Sequence, residues 1–294
     1  MRIIRFLVLC LVLITALAAC NQEKRVPMDQ LGDVGTHSLH IRCVGRGSPA
    51  IVIDTGHGDV AAKWYAIQEQ LAADSRVCTY DRAGYGRSEP GPMPRDSRRA
   101  ASELKLLLEK AGIKGPYLLV GHSLGGLNAQ VFAGAYPDMV AGLVLVDPPP
   151  IDFLAGEAFP DLYQMLTGQA SELAAMAEQA ARSTDPEFKA KAGYAAAIAS
   201  ELQAFAESAD QAAAVESFGD TPLVVLAAGR PNPAFGDQAD AYQQFCIEQN
   251  RALASSKSTD GAFVLVAESG HHLNLDAPDR VVEAVRQVLE RTRE

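Results

Sequence analysis

The segment Tyr117-Leu118-Leu119-Val120-Gly121-His122-Ser123-Leu124-Gly125-Gly126 decides the fold, because it joins an apolar strand directly to a helix. Its first four residues form an apolar run, which is typical of a strand buried on both faces. Residues 124–136 have a helical pattern and follow at once. Gly121 and Gly125 leave room for the strand and helix to approach each other. The sequence therefore predicts a sharp turn that holds Ser123 in a strained conformation above the strand end.

The rest of the chain alternates between strand and helix patterns. The predicted strands are residues 37–44, 50–55, 76–80, 142–147, 222–228 and 262–267, and the predicted helices are residues 61–73, 97–111, 237–254 and 279–290. This alternation predicts an α/β fold with a mostly parallel sheet flanked by helices.

The alternation stops over residues 157–218, which contain Ala-rich helical sequence and no strand pattern. We interpret the insertion, about residues 151–218, as a helical cap over one end of the sheet. A solvent-side extension with no role at a functional site is the alternative.

The amino terminus has the pattern of an export signal. A basic start at Arg2 and Arg5 precedes the apolar residues 6–19, a run too short for a typical membrane span. Leu17-Ala18-Ala19-Cys20 resembles a bacterial lipobox, in which the Cys becomes the lipidated first residue. We therefore predict a signal peptide (1–19), a tether (20–30) and a folded domain (31–294), with lipidated Cys20 holding the protein to a membrane of the bacterial cell envelope. A plain cleaved signal and an uncleaved anchor are the alternatives.

Composition excludes several classes of protein. With 48% hydrophobic and 21% charged residues, the chain of 294 residues is not disordered. A formal charge of −10 and the lack of a basic run argue against nucleic acid as a partner. The spacing of its five Cys and six His matches no metal motif, so we predict no metal or cofactor. No protein partner is implied.

Three motifs together carry a resemblance to a known family. They are the turn around Ser123, the segment Tyr80-Asp81-Arg82-Ala83-Gly84-Tyr85-Gly86-Arg87-Ser88, and Ser269-Gly270-His271. In these motifs and their spacing the chain resembles the α/β-hydrolase superfamily over residues 31–294. The resemblance implies the fold predicted above, a cap after the sixth strand, and a structural role for the segment around Asp81.

A serine hydroxyl becomes a useful nucleophile only when a base takes its proton. The resemblance implies that His271 is this base, because the loop after the last strand returns over the strand ends near Ser123. The adjacent His272 is the alternative. The resemblance also implies that His122 packs beneath the nucleophile, while His37 and His40, on an early strand, are expected to be structural.

The acid that orients the histidine is less clearly defined by the sequence. The common family position after the seventh strand holds Asn232, which cannot offset an imidazolium charge as a carboxylate does. Two substitutes are Asp147, at the end of the sixth strand, and Asp237, further along the seventh loop. We favour Asp147.

The resemblance implies further features around the site. The backbone N–H groups of Leu124 and His57 are the expected oxyanion donors, and the His57 side chain either contacts substrate or is solvated. Cys43 and Cys78 lie on strands that are neighbours in this fold, so a disulfide is expected in an exported protein, with Cys246 unpaired.

The sequence thus predicts a serine hydrolase that cleaves an ester or related acyl bond of a small molecule through an acyl-enzyme. Cleavage of C–C, lactone or aminoacyl bonds is the alternative within the same fold. A non-catalytic binding module is the alternative from another class, and the Asn at position 232 is the only feature that favours it.

Overall fold

A computed structural model describes residues 27–185, 188–189 and 191–293. Its centre is an eight-stranded sheet of β1 (Met28–Asp33), β2 (Ser38–Val44), β3 (Ala50–Asp54), β4 (Val77–Tyr80), β5 (Tyr117–His122), β6 (Val140–Val146), β7 (Leu223–Ala228) and β8 (Gly261–Val266). The strand order is β1-β2-β4-β3-β5-β6-β7-β8, in which β2 is antiparallel to both neighbours and β3 to β8 are parallel. The predicted mostly parallel α/β sheet is confirmed.

Helices cover both faces of this sheet and bury two separate hydrophobic clusters. The α-helices outside the insertion are α1 (Tyr65–Leu71), α2 (Ser97–Lys110), α3 (Leu124–Ala135), α9 (Ala239–Lys257), α10 (Leu273–Asp276) and α11 (Pro278–Arg291). One face of the sheet packs on α1 and α11, and the other on α2, α3 and α9. Because β5 and β7 are buried throughout and β6 is buried over residues 142–146, apolar runs replace alternation there, as the sequence indicated.

The insertion between β6 and β7 is helical. Its described helices are α4 (Ile151–Leu154), α5 (Pro160–Thr167), α6 (Gln169–Ala181), α7 (Ala192–Gln203) and α8 (Phe205–Ala213). Cap side chains complete the amino-terminal end of α2, where Ser208 Oγ accepts from Ser97 N at 3.1 Å and Gln211 Oε1 accepts from Arg98 N at 2.7 Å. These contacts dock α8 on the body of the domain by satisfying N–H groups that a helix cannot satisfy itself.

Strand β1 was not predicted, and it begins three residues before the expected domain start at residue 31. Residues 28–30 are therefore part of the sheet and not of a tether. The segment Met28–Asp33 lacks hydrophobic alternation because it is an edge strand, whose residues are mostly exposed and pair with β2 through the backbone.

Cys43 of β2 and Cys78 of β4 lie opposite each other and form a disulfide, as the sequence predicted. Cys246 is a free, buried thiol. The predicted signal peptide (1–19), Cys20 and residues 21–26 of the tether lie outside the described residues. Within the described part of the chain, no helix is long and apolar enough to cross a membrane.

Candidate active site

Ser123 stands on a strained turn between β5 and α3. Its φ and ψ are 50° and −122°, a combination that residues with a side chain rarely adopt. Ser123 N donates to the Val146 carbonyl at 3.0 Å, and Gly126 N donates to the Ser123 carbonyl at 2.8 Å. The backbone of β6 and the first turn of α3 therefore hold the serine in this conformation.

The glycines around Ser123 are required by close backbone contacts. A Cβ on Gly125 would lie 2.3 Å from the Asp54 carbonyl oxygen, and one on Gly121 would lie 2.3 Å from the Gly125 carbonyl oxygen. Neither neighbour is a flexible side chain that could move aside. This explains why small residues stand two positions before and after the serine.

His271 and Asp147 form a hydrogen-bonded pair. His271 Nδ1 donates to Asp147 Oδ2 at 2.7 Å, which leaves Nε2 as the lone-pair nitrogen of the neutral imidazole. Desolvation acts to lower the pKa of His271, but the hydrogen bond and charge of Asp147 outweigh it and raise the pKa above its ordinary 6.5. The pair thus combines a base with a carboxylate that stabilises its protonated form.

Asp147 is itself fixed by the neighbouring strand. It follows β6 directly, has a positive φ of 45°, and accepts from Ala228 N at 2.9 Å through Oδ1. The alternative, Asp237, is exposed and does not line the site. Asn232 caps the short 3-10 helix Pro233–Gln238 by accepting from Ala234 N at 3.0 Å. Of the acids considered from the sequence, the structure brings Asp147 to His271.

Two other histidines adjoin the pair. His122 is buried, its Nε2 donates to the His271 carbonyl at 2.9 Å, and burial lowers its pKa to about 3. It is therefore neutral at pH 7 and fixes the His271 backbone. His272, the alternative base, has a half-exposed side chain, and its Nδ1 lies 4.0 Å from Asp59 Oδ2. The ion pair of Asp147 is with His271 and not with His272.

The residues that carry the expected oxyanion donors line the same cavity as Ser123. Leu124 is the first residue of α3, so its N–H has no acceptor within the helix. His57 lies in the loop of residues 55–58, called here the β3 loop, and its backbone N–H donates to no other group among the described residues. The His57 ring is partly buried and is held by the cap: Nε2 donates to the Ile198 carbonyl of α7 at 3.1 Å, and burial lowers its pKa.

These groups open on one cavity of about 610 Å³. Residues from the body of the domain that line it include Gly56, His57, Ser123, Leu124, Asp147 and His271. The cap contributes apolar side chains, namely Phe153, Leu154, Leu166 and Phe205, and Phe235 and Tyr242 continue this wall. A cavity with polar groups at one end and apolar walls suits a small molecule with an apolar group next to a reactive polar one.

A buried ion network beneath the β3 loop includes a residue that the sequence did not single out. Arg82, expected to be structural, contacts Asp54 at 2.7 Å and Glu201 of α7 at 2.8 Å, and all three side chains are at most 5% exposed. Glu201 lies in an Ala-rich helix with no distinguishing pattern, so only the tertiary structure places it. Among the described residues, no cluster of three or more His, Cys, Asp or Glu is arranged to hold a metal ion.

The sheet order, the turn at Ser123 and the His271–Asp147 pair together define the class of α/β hydrolases. The sequence profile described as "Alpha/beta hydrolase family" matches residues 51–284, and the chain belongs to this family. The prediction of an α/β hydrolase is therefore confirmed.

Similar proteins include an esterase from Thermogutta terrifontis, whose structure aligns with a TM-score of 0.66 at 24% identity over 92% of this chain and 99% of that one. An enol-lactonase from Burkholderia xenovorans LB400 aligns with a TM-score of 0.66 at 19% identity, over 89% and 100% of the two chains. Lipase LipV of Mycobacterium tuberculosis is 38% identical over 37% of this chain and 41% of its own length. The matches span only 18% to 44% of the curated relatives' lengths.

Proposed function

We propose that this protein is a serine hydrolase that cleaves an ester or related acyl bond of a small molecule. The observation that carries the proposal is the Asp147–His271 hydrogen bond of 2.7 Å beside the cavity into which Ser123 faces. A base oriented by a carboxylate, next to a serine on a strained turn, is the arrangement that acyl transfer needs. The esterase and lipase among the similar proteins support this reaction class.

In the proposed mechanism, His271 Nε2 takes the proton of Ser123 while Oγ attacks the acyl carbon. The N–H groups of His57 and Leu124 donate to the oxyanion that forms. The imidazolium, stabilised by Asp147, then protonates the leaving group, and the acyl group stays on Ser123. Water, whose proton is taken by His271, next attacks the acyl-enzyme, and His271 returns the proton to Ser123 Oγ as the acid is released. The apolar wall of the cavity holds an apolar acyl or alcohol group.

Labelling with a fluorophosphonate tests the nucleophile directly. We expect wild-type protein to form one covalent adduct at Ser123, because only an activated serine attacks this phosphorus. The Ser123→Ala variant should not label, and Ser88→Ala, which removes a hydroxyl outside the cavity, should label like wild type. Intact-mass spectrometry and peptide mapping give the result. An unlabelled wild type, or equal labelling of Ser123→Ala, would overturn the proposal.

We further propose that the protein is exported and anchored to a membrane of the bacterial cell envelope through lipidated Cys20. The lipobox-like Leu17-Ala18-Ala19-Cys20 supports lipidation. The Cys43–Cys78 disulfide suits an oxidising compartment outside the cytoplasm.

Replacing Cys20 with Ala should abolish incorporation of radiolabelled palmitate and move the protein out of the membrane fraction, since lipid attachment begins at that thiol. The Cys246→Ala variant is the control and should stay with the membranes. A Cys20→Ala protein that still sediments with membranes would refute the anchor.

A further inference from the structure

The β3 loop is held from the cap side by one helix. Three residues of α7, spaced by about one turn each, contact this loop or the groups that hold it. Tyr194 Oη donates to the Gly58 carbonyl at 2.8 Å, and the Ile198 carbonyl accepts from the His57 ring at 3.1 Å. Glu201 makes the third and most buried contact, through Arg82 and Tyr85.

Arg82 uses all five of its N–H groups, toward Glu201 of the cap, Asp54 at the end of β3, and the β3 loop. Its Nε and Nη2 donate to Glu201 at 2.8 and 3.2 Å. Its Nη1 donates to Asp54 Oδ1 at 2.7 Å and to the Thr55 carbonyl at 2.6 Å, and Nη2 also donates to the Gly56 carbonyl at 2.9 Å. The guanidinium is rigid and planar, so its N–H groups cannot reorient independently of one another. By fixing the orientation of the guanidinium, Glu201 therefore also fixes the N–H groups that bind the loop.

The hydrogen bond from Arg82 to the Gly56 carbonyl affects the direction of the His57 N–H. The Gly56 carbonyl and the His57 N–H belong to one planar trans peptide and point in opposite directions. Arg82 Nη2 and, within the same loop, Asp59 N both donate to this carbonyl, at 2.9 and 3.2 Å, and so fix the peptide plane and with it the direction of the His57 N–H. Rotation of this one peptide would remove the candidate oxyanion donor without moving any side chain of the site.

Tyr85 adds a second connection between Glu201 and the same loop. Its hydroxyl donates to Glu201 Oε2 at 2.6 Å and accepts from Gly58 N at 3.2 Å. Glu201 thus acts on both ends of the β3 loop, on Gly56 through Arg82 and on Gly58 through Tyr85.

We propose that Glu201 of the cap is a positioning residue, which sets the direction of the His57 N–H by orienting Arg82 and Tyr85. This inference rests on the serine-hydrolase function proposed above. It gives α7 a role in transition-state stabilisation besides covering the site, since an oxyanion donor acts mainly on the charge that develops during the reaction.

Glu201 is the residue to substitute in a test of this proposal, because its removal leaves the remaining buried charges balanced. Without its carboxylate, Arg82 keeps Asp54 as a partner, and the buried pair stays neutral. Without Arg82, by contrast, two buried carboxylates would face each other with no cation, and the fold itself would suffer. Glu201→Gln keeps an acceptor for Arg82 Nε, while Glu201→Ala removes it.

We expect Glu201→Ala to lower kcat for p-nitrophenyl butyrate by about 10- to 100-fold with little change in KM, somewhat less than the loss of a whole oxyanion donor. Glu201→Gln should fall between this variant and wild type. The inhibition constant of a trifluoromethyl ketone, whose adduct carries an oxyanion, should rise by the same factor. Rates are divided by the concentration of serine titrated with fluorophosphonate, so that misfolded protein does not lower the measured kcat.

The control is Glu207→Ala, which removes the same charge from an exposed position on α8 and should match wild type. Hydrogen exchange in a peptide spanning residues 55–59 should be faster in Glu201→Ala than in Glu207→Ala. Unchanged kcat per titrated site in Glu201→Ala, or a rise in KM with unchanged inhibitor affinity, would overturn the inference. If the proposed function itself is wrong, the wild type will contain no serine that fluorophosphonate titrates. In that case, unchanged hydrogen exchange over residues 55–59 in Glu201→Ala would still refute the positioning role.

Discussion

The Asp147→Asn variant is expected to lose about four orders of magnitude in kcat/KM while keeping its fold. The amide cannot offset the imidazolium charge, and it can present an N–H₂ group to His271 Nδ1, which would favour the wrong tautomer of the base. Folding should survive because Asn can still accept from Ala228 N, as Asp147 Oδ1 does at 2.9 Å. Steady-state hydrolysis of p-nitrophenyl butyrate together with circular dichroism measures both effects.

The pH profile gives this prediction a second, independent measurement. The proposed mechanism needs neutral His271, and Asp147 raises the pKa of His271 above 6.5. Activity of the wild type should therefore fall as the pH drops through this raised value, and the residual activity of Asp147→Asn should persist to lower pH. Asp237→Asn is the matched control and should keep wild-type activity. Full activity in Asp147→Asn, or its loss in Asp237→Asn, would show that the acid has been assigned to the wrong residue.

Loss of the Cys43–Cys78 disulfide is expected to lower the free energy of unfolding by about 4 kcal/mol. The bond closes a loop with a sequence separation of 35 residues, and the entropy that it removes from the unfolded chain corresponds to that magnitude. A change of this size should lower Tm by roughly 10 °C in a domain of this length. Urea unfolding of the Cys43→Ala/Cys78→Ala double variant under oxidising conditions measures it.

The single Cys246→Ala variant is the control, because Cys246 is buried and forms no disulfide. It measures how far the free energy of unfolding falls when a buried sulfur is removed and no cross-link is lost. The decrease in the free energy of unfolding of the double variant should be clearly more than twice the decrease in Cys246→Ala. A loss no greater than twice the Cys246→Ala value would mean that the two thiols contribute packing alone. Wild type purified from a reducing cytoplasm should resemble the double variant in stability.

Local sequence was sufficient where one segment carries its own physical signal. The apolar run ending in Gly121-His122-Ser123-Leu124-Gly125 could form only a buried strand, a turn and a helix, and the structure has β5, the strained Ser123 and α3 there. Strand β1 was missed for the opposite reason. Its edge position requires only backbone pairing with β2, and this leaves no hydrophobic pattern in Met28–Asp33.

The acid partner shows where sequence reasoning stopped. Asp147 directly follows β6 and Asp237 lies further along the loop after β7, and the sequence favoured Asp147 without showing which carboxylate contacts His271. The distinction comes from β6 and β7 lying side by side, so that Ala228 N orients one carboxylate toward a histidine 124 residues away in the chain.

By itself, the sequence determined the parallel part of the sheet, the serine turn, the candidate base and the family, because each depends on hydrophobic periodicity or on a contiguous motif. Only the tertiary structure showed that Asp147, which the sequence favoured, contacts His271, and only it brought Glu201 of the cap to Arg82. These depend on contacts between segments far apart in the chain, and such contacts are set by how strands and helices pack and not by the residues next to each group.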